Sequence, residues 1–268
     1  MVPKISLLGI NIDFYSFFNF LGGALLVLYN LLQSKRKEEI LSFISLKIVA
    51  KNKKDRQRYI KCCTFSETIV LSLVQFFAGV IFNILWGILL TNSSYNYFGF
   101  VLWAPLVFVM VCAFIRVPPL KQLDLYTPAY ALSLISFKIA CFFKGCCHGI
   151  EWKYGIYNHS YDRVEFPIQL LECFVAIGLF LITHFYSKKK HKAGTVFPLY
   201  LILYSAIRFF TEFLRDDFPS LMGSLNTYHF QSLIGVLVGI VEMCFIVDVS
   251  KKIKWLNVGI KINHKKCK

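Results

Sequence analysis

Long apolar runs alternate with shorter polar segments along the whole chain. Several runs extend for about 20 residues with at most one or two ionisable side chains, which is the length a helix needs to cross a bilayer. A membrane β-barrel would instead show segments of about ten residues with alternating polarity, and no such alternation is present. The pattern therefore predicts an all-α, polytopic membrane protein with about seven spans. These spans are placed at approximately 6–32, 66–90, 97–115, 125–146, 167–186, 195–214 and 228–249.

The composition and the distribution of charge agree with a lipid environment. The 268 residues are 56% hydrophobic and 17% charged, against about 25% charged in a typical soluble domain. The net charge of +15 raises nucleic acid as a partner, but the basic residues lie between the spans rather than on one surface, which argues against it. Alternate loops and the C-terminal tail hold 23 Lys and Arg residues, and the opposite loops hold 4. The positive-inside rule then predicts an N-terminus outside and a C-terminus in the cytoplasm.

The whole of 1–268 is predicted to form a single transmembrane domain. A basic cytoplasmic loop is expected at about 33–65, where it marks topology and lies near anionic lipid, and a basic cytoplasmic tail at about 250–268. The N-terminus has one lysine before its apolar run and no convincing small-residue cleavage site. The first span is therefore expected to be retained rather than removed as a signal peptide.

Three ionisable side chains inside the spans are predicted to lie at one depth. Charged groups in hydrocarbon are costly, so each is a candidate functional residue. At 1.5 Å per residue, Lys138 lies about 20 Å along the fourth span, and Arg208 lies at a similar height in the sixth. Glu172 lies about 9 Å from the outer end of the antiparallel fifth span, near the same plane. The sequence thus predicts a charged site in the outer half of the membrane.

The sixth span carries a polar face. Tyr204, Arg208, Glu212 and Arg215 fall within an arc of about 80° on a helix. Arg208 and Glu212 are spaced to pair with each other, either as part of a functional site or as a structural salt bridge. On the fifth span, Gln169 shares a face with the carboxylate three positions later. A cationic pocket that opens to the outer leaflet favours the phosphate of a phospholipid headgroup as the ligand.

The nine cysteines do not form the pattern of a disulfide framework, because most fall inside spans or on the cytoplasmic side. Cys141, Cys146 and Cys147 are close enough in sequence to be weighed, with His148, as soft metal ligands. Adjacent cysteines rarely bind one tetrahedral ion together, and no Cys-x-x-Cys pair is present. The sequence therefore predicts no metal and no cofactor, and a membrane thiol or metal protein is kept only as an alternative.

Three segments of the chain resemble the prolipoprotein diacylglyceryl transferase family of bacterial membrane enzymes. The segment from Tyr204 to Arg215 is similar to the family's Tyr-Gly-x-x-Arg-x-x-x-Glu-x-x-Arg helix. Phe166–Glu172 is similar to His-Pro-x-Gln-Leu-Tyr-Glu, and Phe137–Gly149 resembles Gly-Arg-x-Gly-Asn-Phe with the glycine-bearing turn after it. The order and spacing of these segments, the number of spans and the predicted orientation also agree. The resemblance therefore covers most of the chain.

The resemblance implies an enzyme of lipoprotein biosynthesis in the bacterial cytoplasmic membrane, with an active site facing the outer leaflet. The reaction would transfer diacylglyceryl from phosphatidylglycerol to the lipobox cysteine of a preprolipoprotein, so both substrates and membrane lipid are the expected partners. Candidate catalytic residues are Arg208, Lys138, Glu212, Tyr204 and His148. Candidate phospholipid-binding residues are Lys138, Arg208, Tyr15, Gln169, Glu172, Gly149 and Arg215.

Several positions depart from the family pattern. Lys138 stands where the family has an arginine, and Cys141 where it has an asparagine. Phe98 and Phe166 stand where the family has histidines. His148 is therefore proposed as a substitute base, with an interfacial structural role as the alternative. A catalytically silent relative that binds phospholipid or a lipoprotein precursor is the main alternative function, and a transporter is disfavoured because no internal repeat is evident.

Overall fold

The computed structural model describes residues 4–7, 10–33, 53–91, 96–115, 117–159, 161–216 and 222–252, and within these residues it contains seven α-helices and two short β-hairpins. The helices are Phe14–Gln33 (α1), Lys53–Thr91 (α2), Tyr97–Phe114 (α3), Pro119–Lys144 (α4), Ile168–Lys188 (α5), Val196–Glu212 (α6) and Thr227–Lys252 (α7). The strands are Lys4–Leu7 (β1), Ile10–Asp13 (β2), Glu151–Asn158 (β3) and Arg163–Glu165 (β4). The prediction of a mostly helical membrane protein is confirmed.

Six helices in the described part of the chain are long and apolar enough to cross a bilayer. The seventh is α6, whose 17 residues include the charged face that the sequence predicted. A helix of that length is about 25 Å long, somewhat less than the hydrocarbon thickness of about 30 Å. Its short length and its charges are consistent with a helix that carries the site rather than one that faces lipid throughout.

The structure corrects the boundaries of two predicted elements. The first span does not begin at residue 6, because β1 and β2 pair as an antiparallel hairpin in which Lys4 lies opposite Asp13, and α1 starts only after it. The predicted loop at about 33–65 is helical from Lys53 onward, since α2 extends beyond the apolar run by about three turns. The remaining part of that loop, 34–52, and the tail at 253–268 lie outside the described residues, as does Arg116.

The structure comprises two compact packing units. The first consists of Met1–Leu26, Pro128–Lys188 and Leu199–Ile240, and it contains all the candidate site residues. The second consists of Val27–Thr127, Lys189–Pro198 and Val241–Lys268. The first unit therefore carries the chemistry of interest.

Polar contacts between helices hold the second unit together. The Asn30 amide donates to the Ser72 hydroxyl and to the Gln75 side-chain oxygen, each at 3.1 Å, as expected where apolar packing alone gives little specificity in lipid. The Asp124 carboxylate on α4 accepts from the backbone N–H groups of Gly194 at 2.6 Å and Val196 at 2.9 Å. A carboxylate at these free N–H groups satisfies the start of α6 and complements the helix dipole.

In the first unit, a loop at 145–150 and the hairpin β3–β4 connect α4 to α5. Gly149 forms an isolated antiparallel bridge with Arg215, which ties the loop to the end of α6. A Cβ at Gly149 would lie 2.2 Å from the Phe166 carbonyl oxygen, so only glycine fits there. The hairpin exposes Trp152 and Tyr154, residue types that favour the headgroup level of a membrane. This end of α4 therefore has the character of an interface.

Candidate active site

Three helices bring Lys138, Glu172 and Arg208 into direct contact. The Glu172 carboxylate lies 2.7 Å from Lys138 Nζ and 3.0 Å from Arg208 Nη1. All three side chains are about 5–7% exposed. The three charges on α4, α5 and α6 thus lie together, as the sequence predicted, and their depth in a bilayer stays a prediction.

A second carboxylate completes the cluster. Glu212 lies 2.5 Å from Arg208 Nη2, so the guanidinium bridges both carboxylates with its two terminal nitrogens. The Asn226 amide donates to the other oxygen of Glu212 at 2.7 Å. The same Asn226 caps α7, because its side-chain oxygen accepts from the backbone N–H of Tyr228 at 3.0 Å. A cap at the start of one helix thus also orients a charge at the end of another.

Arg215 joins the cluster from outside the helix. The sequence placed it on the helical face of the sixth span, but α6 ends at Glu212 and the chain tightens there through a hydrogen bond from the Arg215 N–H to the Glu212 carbonyl. The Leu214 carbonyl then accepts from the Ile150 N–H at 3.1 Å, which turns the backbone away from the helix axis. The Arg215 side chain still reaches Glu172, at 3.3 Å. The prediction that Arg215 lies on the helix was therefore wrong, whereas the predicted grouping of its side chain with Glu212 is confirmed.

The cluster has an excess of one positive charge. Its three cations are Lys138, Arg208 and Arg215, and its two carboxylates are Glu172 and Glu212. Buried charges require close pairing to offset desolvation, and their interactions are strong because water is scarce. A buried group of fixed cations with one unmatched charge can attract an anion and can stabilise negative charge that develops on it.

Aromatic rings border Arg208. The Tyr228 ring centroid lies 5.3 Å from the guanidinium carbon, a distance suited to a cation–π contact. Tyr204, one turn earlier on α6, is buried and stacks on Tyr200 with ring centroids 6.0 Å apart. These rings restrict the guanidinium to few orientations. Tyr204 is thus positioned by packing on the same helix face as Arg208, as the sequence predicted.

Gln169 connects the cluster helix α5 to the 145–150 loop. It is buried one turn before Glu172, and its amide donates to the Cys146 carbonyl at 2.8 Å. It also lines a cleft next to the hairpin β3–β4, together with Phe142, Lys144, Asn158 and Glu165 among others. Gln169 therefore occupies a position between a surface cleft and the buried charges.

His148 lies on the 145–150 loop and contacts Arg163. The Arg163 guanidinium donates to His148 Nδ1 at 3.0 Å and to the Gly149 carbonyl at 3.2 Å. The Tyr161 ring packs edge-on against the imidazole at 4.0 Å. Because Nδ1 accepts, the neutral ring carries its proton on Nε2. Arg163 also pairs with Asp216 at 3.0 Å, so His148 belongs to a polar network that joins the loop, β4 and the end of α6.

Two further sequence predictions concern residues away from these contacts. Tyr15, near the start of α1, places its ring 4.1 Å from Lys144 Nζ at the C-terminal end of α4. Phe98 is buried in α3 of the second unit, where its backbone N–H is capped by Asn96 at 3.0 Å. Gly99 packs against α2 so closely that a Cβ would lie 2.1 Å from the Phe82 carbonyl oxygen. Phe98 is therefore a core residue of α3.

The thiols of Cys141, Cys146 and Cys147 converge at the end of α4. All three sulfur atoms lie within 4.8 Å of one another. Hydrogen bonds with the Cys141 and Cys146 thiols lower the pKa of Cys147 well below its ordinary value, and the nearby charges of Arg215 and Lys138 act in the same direction. The hydrogen bond with Cys141 lowers the pKa of Cys146, but the hydrogen bond with Cys147 and burial outweigh it and raise that pKa to about 12.

Sequence reasoning missed three residues that shape this site: Asn226, Tyr228 and Arg163. Asn226 carries a signal that could have been used, because an asparagine directly before an apolar helix is a typical N-cap. Nothing in the local sequence indicates that its amide also reaches Glu212. Arg163 was counted only as a loop charge, since its partners are distant in sequence.

The fold and the cluster define a multi-pass membrane protein with a buried cluster of charged side chains contributed by three helices. The model of the family described as prolipoprotein diacylglyceryl transferase matches residues 4–245. The chain belongs to this family. The predicted resemblance to this family is thereby confirmed.

Named relatives agree with the family model. The phosphatidylglycerol–prolipoprotein diacylglyceryl transferase of Clostridium tetani is 36% identical over 128 residues, covering 45% of this chain and 51% of that protein. Transferase 2 of Clostridium perfringens is 34% identical over 130 residues, covering 45% and 50%. The enzyme of Lactobacillus delbrueckii subsp. bulgaricus is 27% identical over 185 residues, covering 63% and 65%. The chain spans about half the length of the first two of these relatives.

Proposed function

We propose that this protein is a phosphatidylglycerol–prolipoprotein diacylglyceryl transferase, a thioether-forming enzyme of lipoprotein biosynthesis. The names of its relatives supply the substrates. The observation that carries the proposal is the buried cluster in which Lys138, Arg208 and Arg215 surround Glu172. With Glu212, the described members of the cluster carry three positive and two negative charges. Such a cluster suits a lipid whose headgroup is anionic and whose leaving group is a phosphate.

In the proposed reaction, the lipobox cysteine of the precursor attacks the glycerol carbon that bears the phosphate ester. A carbon–sulfur bond forms as the carbon–oxygen bond breaks, and glycerol phosphate leaves with the electron pair. Arg208 and Lys138 stabilise the charge that builds up on the phosphate, most strongly in a site with little water. Glu172 and Glu212 hold the two cations in place before the substrate binds. Gln169 and the 145–150 loop border the path from the cleft.

The substrate thiol must lose its proton before it attacks. Cationic surroundings lower the pKa of a bound thiol from about 8.5, so part of the activation comes from the field of the cluster itself. The proton then passes either to water or to His148, the base that the sequence suggested. In this geometry the Nδ1 lone pair accepts from Arg163 and Nε2 carries the ring proton, so His148 can act as the base only when Arg163 releases Nδ1.

The proposal includes an orientation in the bacterial cytoplasmic membrane. The charge asymmetry of the loops supports an N-terminus outside and a C-terminus in the cytoplasm. The hairpin β3–β4 would then lie at the outer surface, where its exposed Trp152 and Tyr154 suit the headgroup level. Exported precursors would reach the site from that side, through the membrane and the cleft bordered by the hairpin.

A second candidate function is a silent relative that binds phospholipid without transfer. Lys138 favours it, because a lysine has no bidentate fork for phosphate and stands where the family has an arginine. This candidate shares the lipid ligand with the transferase and differs only in the chemical step.

The deciding experiment incubates purified protein with phosphatidylglycerol in detergent micelles and a lipobox peptide, and detects the diacylglyceryl adduct by mass spectrometry. The transferase predicts an adduct on the peptide cysteine that is lost in Arg208→Ala and kept in Lys190→Ala, an exposed cation outside the site. Phosphatidylglycerol binding without any adduct, in conditions where a known transferase is active, would favour the silent relative. If the protein shows no phosphatidylglycerol binding and forms no adduct, both functions are refuted.

A further inference from the structure

The cluster of three thiols at the end of α4 has the geometry of a metal site. The sulfur atoms of Cys141 and Cys147 are 3.9 Å apart, and all three sulfurs lie within 4.8 Å of one another. A Zn–S bond of about 2.3 Å in tetrahedral geometry places two sulfurs about 3.8 Å apart. The spacing of the thiols therefore already approaches that of a bound trithiolate.

The local backbone explains how adjacent cysteines achieve this. Cys141 lies in the last turns of α4, and the chain leaves the helix at Gly145, which has a φ of +69°. Cys147 also has a positive φ, +58°, a conformation that L residues other than Asn and Asp rarely adopt. These two bends fold the chain back so that Cys147 meets Cys141. The sequence predicted no metal because Cys146 and Cys147 are adjacent and no Cys-x-x-Cys pair is present. The turn at Gly145 and Cys147 nevertheless brings the three sulfurs together.

The surroundings suit an anionic metal–thiolate group. Three thiolates and one divalent cation carry a net charge of −1. Lys138 lies one turn before Cys141 on the same face of α4, so a cation borders the three thiols. The Cys146 carbonyl, which accepts from Gln169 at 2.8 Å, holds the loop in position beside the thiols.

We propose that Cys141, Cys146 and Cys147 bind a thiophilic divalent cation of the Zn²⁺ class, with a solvent molecule as the fourth ligand. Such an ion joins the 145–150 loop to the end of α4. The loop carries Gly149, whose bridge to Arg215 helps to orient that side chain toward Glu172. The site is thus a structural clamp next to the charged cluster, and it does not depend on the transferase assignment.

The test compares the full-length protein with the triple variant Cys141→Ser, Cys146→Ser, Cys147→Ser in detergent, with Zn²⁺ and Cd²⁺ as probes. The matched control is Cys244→Ser, an exposed cysteine on α7. Elemental analysis is expected to show loss of one Zn²⁺ per chain in the triple variant and no loss in the control. The ultraviolet charge-transfer band of bound Cd²⁺ is expected to disappear in the same variant.

A second measurement uses only the native sequence, in case the triple variant fails to fold. Iodoacetamide labelling of the two half-buried thiols, Cys146 and Cys147, read by peptide mass spectrometry, is expected to be lost with Zn²⁺ and restored by a chelator, whereas labelling of the exposed Cys244 stays constant. Equal labelling with and without Zn²⁺ would overturn the proposal. A disulfide between Cys141 and Cys147 in protein isolated without reductant would also overturn it, because those sulfurs could not then serve as ligands.

Discussion

Glu172 is the carboxylate on which the buried cluster depends, and its replacement by glutamine gives a quantitative test. The carboxylate contacts Lys138 at 2.7 Å, Arg208 at 3.0 Å and Arg215 at 3.3 Å. Glu172→Gln keeps the shape and removes the charge, so the cluster would hold three cations against Glu212 alone. Removing one partner of a buried ion pair costs about 3–5 kcal/mol, because the remaining charges stay desolvated.

This loss of stability corresponds to a large shift in thermal unfolding. For a protein of this size, 1 kcal/mol lowers the melting temperature by about 2–4 °C, so Glu172→Gln is expected to lower it by about 6–20 °C. Solvent screening is small, since Glu172 and its partners are 4–7% exposed. The assay is thermal unfolding of purified protein in detergent, followed by circular dichroism or a thiol-independent dye.

Glu242 on α7 provides the matched control. Its Oε2 has no hydrogen-bond partner among the described residues, so Glu242→Gln exchanges a partly buried carboxyl group for an amide without breaking an ion pair of the cluster. A melting temperature of Glu172→Gln equal to that of Glu242→Gln would refute the account of the cluster. A double-mutant cycle with Lys138→Met adds a second check, because paired groups should show a coupling of about 0.5–3 kcal/mol.

Three further predictions concern the residues around the cluster. Arg208→Lys keeps the charge but loses the guanidinium fork that bridges the two carboxylates. Transfer in the lipobox-peptide assay is therefore expected to fall about 10–100-fold. Full activity of this variant would contradict the role of the fork. Gly149→Ala forces a Cβ to within 2.2 Å of a backbone oxygen and is expected to lower stability by about 1–3 kcal/mol. Gly178→Ala is the control in thermal unfolding, because its Cβ would meet no atom of the described residues within 4 Å. In metal-free protein near neutral pH, iodoacetamide is expected to label Cys147 before Cys146. The reason is that the pKa of Cys147 is lowered, whereas the pKa of Cys146 is raised to about 12. The reverse order of labelling in peptide mass spectrometry would contradict this prediction.

The sequence predicted that Lys138, Glu172 and Arg208 lie together because the rise of a helix per residue is enough to give the height of each side chain along its span. In antiparallel spans, counting residues from the membrane boundary is enough to compare depths. The prediction for Arg215 was less accurate for an equally physical reason. The end of α6 is set by backbone pairing with residues 149 and 150, which lie more than 60 positions away along the chain.

The hairpins show a different limit. The segment Glu151–Asn158 contains three aromatic residues and one isoleucine, which favour a strand, but it is too short to resemble a membrane span. The contact between Asn226 and Glu212, and the folding of Cys147 onto Cys141, depend on tertiary structure and on positive φ angles at single residues. Patterns of polarity predict which faces meet and do not predict how a loop returns to a helix end.

The role of His148 can be decided with a conservative substitution. Its Nδ1 accepts a hydrogen bond from Arg163 at 3.0 Å, and a glutamine side-chain oxygen can accept the same bond. If the ring only anchors Arg163, His148→Gln keeps the network of the loop and β4, and transfer to the lipobox peptide is expected to stay within about twofold of the unmodified protein. His184→Gln, a histidine on α5 that does not line the cleft, is the control.

The opposite outcome would assign the proton to His148. A base must accept a proton on a free lone pair, which His148 offers at Nδ1 once Arg163 releases it and a glutamine does not offer at all. Loss of transfer in His148→Gln, with an unchanged melting temperature and unchanged binding of phosphatidylglycerol, would mean that the imidazole removes the thiol proton. Retained transfer would mean that the cations of the cluster and nearby water are sufficient, because a thiol held beside Lys138, Arg208 and Arg215 ionises more readily than one in solution.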